Sequence, residues 1–232
     1  STSPATGGII QDRSTFADLM TTGGVGFQLT AYAASAEQGD LTRADAAGRT
    51  RSVLRVLANH DGAHPMGAAE SGTIGYRGFF YHFLGIDGLR QENSGFAETA
   101  QDESLNTVEL STIDTALAIA GAVTAAGYFD GSDPVEAEIR ELAGQIYAAV
   151  DWHFMLDQES GQFYLGWKPD ERRDDDSGLY GRFQLDDADG LGQYSSRLDG
   201  GEEKPATLDY YTDEALLIAL LGRATALRDA LV

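Results

Sequence analysis

The stretch Glu109-Leu-Ser-Thr-Ile-Asp-Thr-Ala-Leu-Ala-Ile-Ala-Gly-Ala-Val-Thr-Ala-Ala-Gly-Tyr128 decides the fold. Leu110, Ile113, Leu117, Ile119 and Val123 spread over nearly every side of a 3.6-residue wheel, and a helix apolar all round belongs at the centre of a domain. Ser111 and Asp114, three residues apart, have the spacing of an N-terminal cap. The rest of the chain is expected to pack its own helices around this one.

Downstream, Asp133-Pro134-Val-Glu136 combines an Asp cap, Pro at the first helical position and Glu at the third. The helix it opens runs to about Val150, with Ile139, Leu142, Ala143, Ile146 and Val150 on its apolar face. Upstream, residues from Phe16 to Gln38 show helical spacing around a Gly-rich entry at Gly23, Gly24 and Gly26, and Gly39 ends the run. Thr42 and Asp45 open a second helix reaching about Asn59, with Leu54, Leu57 and Ala58 buried. Residues 72–93 change character to an aromatic alternation closed by Asp87-Gly88, the signature of a short β-hairpin. Phe163 to Trp167 is a second strand-like aromatic piece, followed by a polar loop dense in Asp and Gly from Pro169 to Lys204. Thr212 can then cap a last helix from Asp213 to about Ala230. The expected fold class is an all-α domain with short aromatic hairpins and long acidic loops at one rim. Residues 1–14 read as a flexible polar tail and 15–232 as one domain.

Composition narrows the partners. A chain of 232 residues with 42% hydrophobic and 23% charged residues suits one soluble globular domain. Its net charge of −21 comes from 37 acids against 16 bases, and Lys168 and Lys204 are the only lysines. Such a field repels phosphate and anionic lipid, which excludes nucleic acid and membrane surfaces as partners and leaves a neutral polymer. The same excess of acid fits either a surface working in high salt or an ordinary acidic secreted protein. There is no Cys, so disulfides and thiolate chemistry are excluded. No apolar run approaches the ~20 residues that span a bilayer. The polar start Ser1-Thr-Ser-Pro-Ala-Thr-Gly-Gly8 suits a processed secreted or periplasmic protein, or a trimmed chain.

His60 and His64 are four apart, but Asp61-Gly62 and Pro65 put them in a loop, so no metal site is expected there. Asp174 to Asp176 and Asp186 to Gly190 lack the twelve-residue calcium-loop pattern and read as solvated acidic loops. Neither a phosphate-binding Gly-rich loop nor a Gly-x-Ser-x-Gly turn occurs, and no cofactor is expected. What remains is carboxylates beside aromatics, the equipment for cutting a glycosidic bond. One acid protonates the leaving oxygen while a second activates water or attacks the sugar. Glu109 stands at the mouth of the central helix. Glu214 stands in the first turn of the last, behind Tyr210-Tyr211-Thr212-Asp213. Each has a structural alternative: a first-turn acid is favoured by the helix dipole by about 0.3–1 kcal/mol, and Asp114 can be the far member of a capping box. Tyr81, Trp152 and Trp167 suit either the core or a sugar platform, and only the second requires exposure.

Six runs in order resemble the glycoamylase-like family of β-glucan-acting enzymes: Thr22-Gly-Gly-Val-Gly-Phe-Gln-Leu-Thr-Ala-Tyr32, Gly78-Phe-Phe-Tyr-His-Phe-Leu84, Glu109-Leu-Ser-Thr-Ile-Asp-Thr-Ala-Leu117, Val150-Asp-Trp-His-Phe-Met-Leu156, Leu165-Gly-Trp-Lys-Pro169 and Asp213-Glu-Ala-Leu-Leu217. The resemblance implies an (α/α)6 toroid of which this chain covers the first half. It implies hydrolysis of a β-linked glucan, with β-1,2-glucan the foremost candidate. Two alternatives come with it. Relatives attached to cyclic glucan synthases point to transglycosylation. A half toroid also exposes apolar helix faces suited to a second half-domain or to self-association, as in a non-catalytic glucan-binding or assembly subunit. Carried over residue by residue, the resemblance implies Glu109 and Glu214 as the acid/base pair and Asp114 as a third acid. Phe80, Tyr81, His82, Trp152, Trp167 and Tyr211 would contact sugar. Glu109 is assigned as the general acid because a loop position lets its pKa rise, and Glu214 as the base because the dipole holds it ionised, with the roles exchangeable. One departure from the family pattern is Asp213, an additional acid adjoining Glu214.

Overall fold

The computed structural model describes residues 7–67, 72–91 and 108–156, with shorter pieces at 163–164, 166–167, 179–180, 197–199, 202–204, 217–218 and 220–221. β1 (Gln11–Arg13) pairs antiparallel with β2 (Phe16–Thr21), and β2 runs directly into α1 (Thr22–Gln38). The helix thus starts at the Gly-rich entry, as expected, with Gly23, Gly24 and Gly26 inside it, while Phe16–Thr21, whose spacing reads as helical, form β2. The backbone of Met20 and Thr21 is engaged instead in pairing with Leu84 and Phe83. The described part of the expected tail is packed. Ile9 is fully buried, and the Gln28 side chain accepts from the Ile10 N–H at 3.0 Å and donates to the Gly8 carbonyl at 2.6 Å.

α1 ends where the sequence indicates, on Gly39 with φ 83°. That is the left-handed region, where any other side chain would be strained. α2 (Arg43–Leu57) starts on Thr42, whose hydroxyl accepts the Asp45 N–H at 3.0 Å, as a capping box does. The aromatic segment then splits into β3 (Gly75–Tyr76), β4 (Phe79–Phe80) and β5 (Phe83–Leu84). β3 and β4 form a hairpin turning at Arg77-Gly78, while β5 joins β2. Asp87-Gly88 closes a short antiparallel turn as the sequence indicates, on the edge of β5 away from β2: Leu84 stands opposite Arg90, the Gly85 N–H donates to the Leu89 carbonyl at 2.7 Å and the Gln91 N–H to the Phe83 carbonyl at 3.1 Å.

β6 (Leu110–Ser111) leads straight into the central helix α3 (Thr112–Tyr128), and α4 (Pro134–Ala148) follows on an Asp133 cap whose Oδ1 accepts the Val135 N–H at 2.8 Å. A 3-10 turn covers Trp152–Met155. β7 (Gly166–Trp167) pairs with β6 and β8 (Leu179–Tyr180) with β7, and β9 (Arg197–Asp199) pairs with β10 (Glu202–Lys204). The stretch expected as a polar loop over 169–204 thus holds short strands. The Gly200-Gly201 pair between β9 and β10 is a hairpin signal in the sequence itself. Of the last expected helix, residues 217–218 and 220–221 are helical, with Ile218 buried and the Leu221 carbonyl accepting from the Tyr147 hydroxyl at 2.8 Å. The remainder of that helix lies outside the described residues.

Among the described residues the chain is mostly helical, in two layers. α1 and α3 run side by side in the same direction, backbone against backbone: a Cβ on Gly26 would lie 2.1 Å from the Leu117 carbonyl oxygen, and one on Gly121 2.3 Å from that of Gly26. α2 and α4 form the second layer. The Arg43 guanidinium at the start of α2 donates to both Glu136 carboxylate oxygens at 2.7 and 2.8 Å and to the Tyr128 carbonyl at 2.9 Å, locking the α3–α4 connection to α2. This arrangement sets the N-terminal ends of α1 and α3 next to each other.

Candidate active site

Two strand-to-helix junctions, β2–α1 and β6–α3, meet at that shared end, and the segment carrying His82 passes between them. The Thr22 N–H donates to the His82 carbonyl at 3.0 Å and the His82 N–H donates to the Glu109 carbonyl at 3.0 Å. The Thr22 hydroxyl donates to the Tyr81 carbonyl at 2.6 Å. The backbone of His82 is thereby fixed from both sides, and its ring lies flat on Phe83, 3.9 Å between centroids and 14° from parallel.

His82 Nδ1 is 2.7 Å from Glu109 Oε1, and His82 Nε2 is 3.7 Å from Asp114 Oδ2. The imidazole side chain is 26% exposed and both carboxylates 13%, so the group is shielded yet reachable from solvent. The Ser111 hydroxyl accepts the Asp114 N–H at 3.2 Å and donates to Asp114 Oδ2. The capping box expected from the sequence is therefore present, and the same carboxylate also faces the histidine.

Burial works against a charge on His82. The hydrogen bond to Glu109 and the charges of Glu109, Asp114 and Asp12 outweigh it and lift the imidazole from its ordinary 6.5 to about 9. The ring is therefore an imidazolium at neutral pH, its Nδ1–H donating to Glu109 and its Nε2 within ion-pair distance of Asp114. Asp114 is pushed above the usual carboxylate range by burial, with the charge of Glu109 adding to this and His82 and Ser111 opposing it. Two carboxyl groups and one proton-holding ring thus form a coupled set at the mouth of two parallel helices.

Of the residues singled out from the sequence, Glu109, Asp114 and His82 come together. Phe80, Tyr81 and Trp152 do not join them as exposed rings: they are 1%, 0% and 6% exposed and belong to the core. Stacking a sugar needs an open ring face. Trp167 is likewise buried and stacks on Tyr76, 5.2 Å between centroids. Glu214 and Tyr211 lie outside the described residues. The family resemblance makes His82 a sugar contact, whereas the structure stands it between two acids. That position has no local signature, because both acids come from the far side of the aromatic segment, well along the chain. Gly23, packed against the Asp114 carboxylate, gives no sign of that contact in a sequence where it is one of three glycines in a row of small residues.

No protein-family model matches the chain. Over 155 residues it is 25% identical to an exo-β-1,2-glucooligosaccharide sophorohydrolase of Parabacteroides distasonis, a match covering 66% of this chain and 19% of that protein. In structure it resembles a glucoamylase-like protein of Bacteroides uniformis, with a TM-score of 0.54 and 22% identity over 69% of this chain and 34% of the other. It also resembles a β-1,2-glucanase of Parabacteroides distasonis, with a TM-score of 0.51 and 22% identity over 66% of this chain and 19% of the other. The chain thus spans about a fifth to a third of the length of the proteins it matches. Its neighbours, in fold and in sequence, are glucoamylase-like helical barrels and β-1,2-glucan hydrolases, in agreement with the resemblance carried by the six motifs.

Proposed function

We propose that the chain builds part of a glycoside hydrolase site that cleaves a β-linked glucan, with β-1,2-glucan the first substrate to test. The observation that carries this reading is the Glu109–His82–Asp114 cluster at the common end of α1 and α3. Hydrolysis of a glycosidic bond needs one carboxyl that holds a proton and one that is ionised. Environments that push two carboxyls apart supply this division. Here burial favours the protonated form of Asp114, while Glu109 Oε1 accepts the His82 Nδ1–H at 2.7 Å. Asp114 is then the candidate proton donor and Glu109 its partner carboxyl, the reverse of the role that a loop position suggests for Glu109. Glu214 stays in the proposal as the further carboxylate implied by the motif Asp213-Glu-Ala-Leu-Leu217.

The substrate class is supported by the relatives, one named for β-1,2-glucooligosaccharides and another a β-1,2-glucanase. The parallel pair α1 and α3, backed by α2 and α4, is the kind of unit from which an (α/α)6 toroid is assembled, which supports the barrel reading. In such a toroid the loops at one set of helix ends surround the central cavity, where a polysaccharide would run. The test is reducing-sugar release from a panel of β-glucan linkages by the wild-type chain and by Glu109→Gln, Asp114→Asn and Glu214→Gln. Removing a positioned acid or base is expected to cost about 10²–10⁴-fold in turnover. Wild-type activity in all three variants, or no cleavage of any linkage by the wild type when the chain is assayed within the full-length protein that carries it, would overturn the reading.

A second reading, a glucan-binding or assembly unit, is favoured by two large apolar side chains left open to solvent, Phe27 on α1 and Val123 on α3. Apolar faces of this kind mark places of association. The expected signature is oligosaccharide affinity by calorimetry without sugar release, together with self-association in sedimentation that Phe27→Ser weakens.

A further inference from the structure

We propose that Gly23 is a positioning residue for the acid cluster: lacking a side chain, it lets the first turn of α1 close on the Asp114 carboxylate and keep it beside His82. A Cβ at position 23 would lie 2.2 Å from Asp114 Oδ1 and 3.2 Å from its Cγ, so any other residue here displaces that carboxylate. The carboxylate has little room to yield, because Ser111 holds Oδ2 and His82 Nε2 lies 3.7 Å from the same oxygen.

The start of α1 explains why an acid from another helix is welcome. Thr21 at the N-cap position makes no side-chain cap, and the first turn of α1 contains no acidic residue. A helix N-terminus favours nearby negative charge. Once ionised, above its raised titration and in the range where His82 titrates, Asp114 brings that charge from α3, so one carboxylate caps its own helix through Ser111 and faces the start of its neighbour through Gly23. The first turn of α1 is also tied to the histidine strand, through Thr22 to the carbonyls of Tyr81 and His82. Gly23 thus stands where three elements converge: α1, α3 and the strand segment that presents the imidazole. The charged groups facing His82 are Glu109 ahead of β6, Asp114 on α3 and Asp12 on β1.

The inference rests on the proposed function only for its consequence in turnover, and its test reads the histidine directly. The His82 imidazole is titrated by NMR in the full chain, in Gly23→Ala, in Asp114→Asn and in the double variant, with Gly127→Ala as the control because nothing lies within 4 Å of a Cβ there. Gly23→Ala and Asp114→Asn are each expected to lower the His82 titration by about one unit or more, as losing a neighbouring opposite charge does. The double variant is expected to fall no further than Asp114→Asn alone, because both changes act on one contact. An unshifted His82 in Gly23→Ala, or shifts that add in the double variant, would overturn the proposal. Should Gly23→Ala fail to fold, Gly23→Ala combined with Asp114→Ala is expected to fold as Asp114→Ala does, since the clashing atoms are gone; continued failure sinks the proposal. A full-length protein without glucanase activity would count against the proposed function and leave the titration result standing.

Discussion

His82 binds its proton more tightly in the folded chain than in the unfolded one, and that difference is a stability term with a definite sign. The imidazole is raised from 6.5 to about 9, so its contribution is fully present below about pH 6.5 and is lost as pH rises through about 9. Asp114, raised by burial, pulls the same way at lower pH: the folded state is relieved while it stays protonated and burdened as it ionises. Because the groups are coupled, the two effects do not simply add. Urea denaturation is expected to show stability falling between about pH 6.5 and 9.5, by roughly 3–4 kcal/mol at most from the histidine. The same measurement on His82→Gln is expected to show a flatter profile. Unchanged slopes would mean that the imidazole does not hold its proton against the two acids.

At the scale of elements, the α1–α3 contact is the joint on which the site depends. Gly26 and Gly121 let the two backbones touch, with Cβ positions 2.1 and 2.3 Å from carbonyl oxygens that cannot move without moving a helix. Gly26→Ala and Gly121→Ala are each expected to destabilise by about 1–3 kcal/mol through overpacking. Gly127→Ala on the open side of α3 is expected to be neutral or to stabilise by up to about 1 kcal/mol, by restricting the unfolded chain. Thermal unfolding of the three variants side by side checks this. The Asp133 cap offers a second check, since Asp133→Ala removes the acceptor of the Val135 N–H. Losing such a cap should cost about 1 kcal/mol. The effect should appear in stability and leave the His82 titration alone, because the start of α4 lies at the far end of α3 from the cluster.

For the whole molecule, the net charge of −21 means that the folded state works against its own repulsion. Raising salt from about 0.1 to 1 M shortens the screening length from ~10 to ~3 Å. The melting temperature is therefore expected to rise with added sodium chloride. A flat or falling response would show that the acids are already paired locally, as Glu136 is with Arg43 and Glu138 with Arg55. The largely buried pair of His82 and Glu109 is screened less than the surface, so its titration should move little over the same range.

Local patterns determined the caps, the helices and the candidate acids. Ser111, Asp133 with Pro134, Thr42 with Asp45, and Gly39 each act on backbone within a few residues, so their spacing was enough to place α2, α3, α4 and the end of α1. Glu109 and Asp114 were likewise legible, because the motif that holds them is little more than a single turn long. The strand ahead of α1 was not, since Phe16 to Thr21 are spaced like a helix and are held extended by β1 on one side and, at Met20 and Thr21, by Leu84 and Phe83 on the other. Nor was the burial of Phe80, Tyr81 and Trp152, whose rings look the same in sequence whether they meet a sugar or a core. Only the tertiary structure decided that His82 stands between two carboxylates and that Gly23 makes room for one of them. The physical reason is that both facts depend on α1 and α3 lying side by side, a contact between residues far apart in the chain that no local pattern encodes.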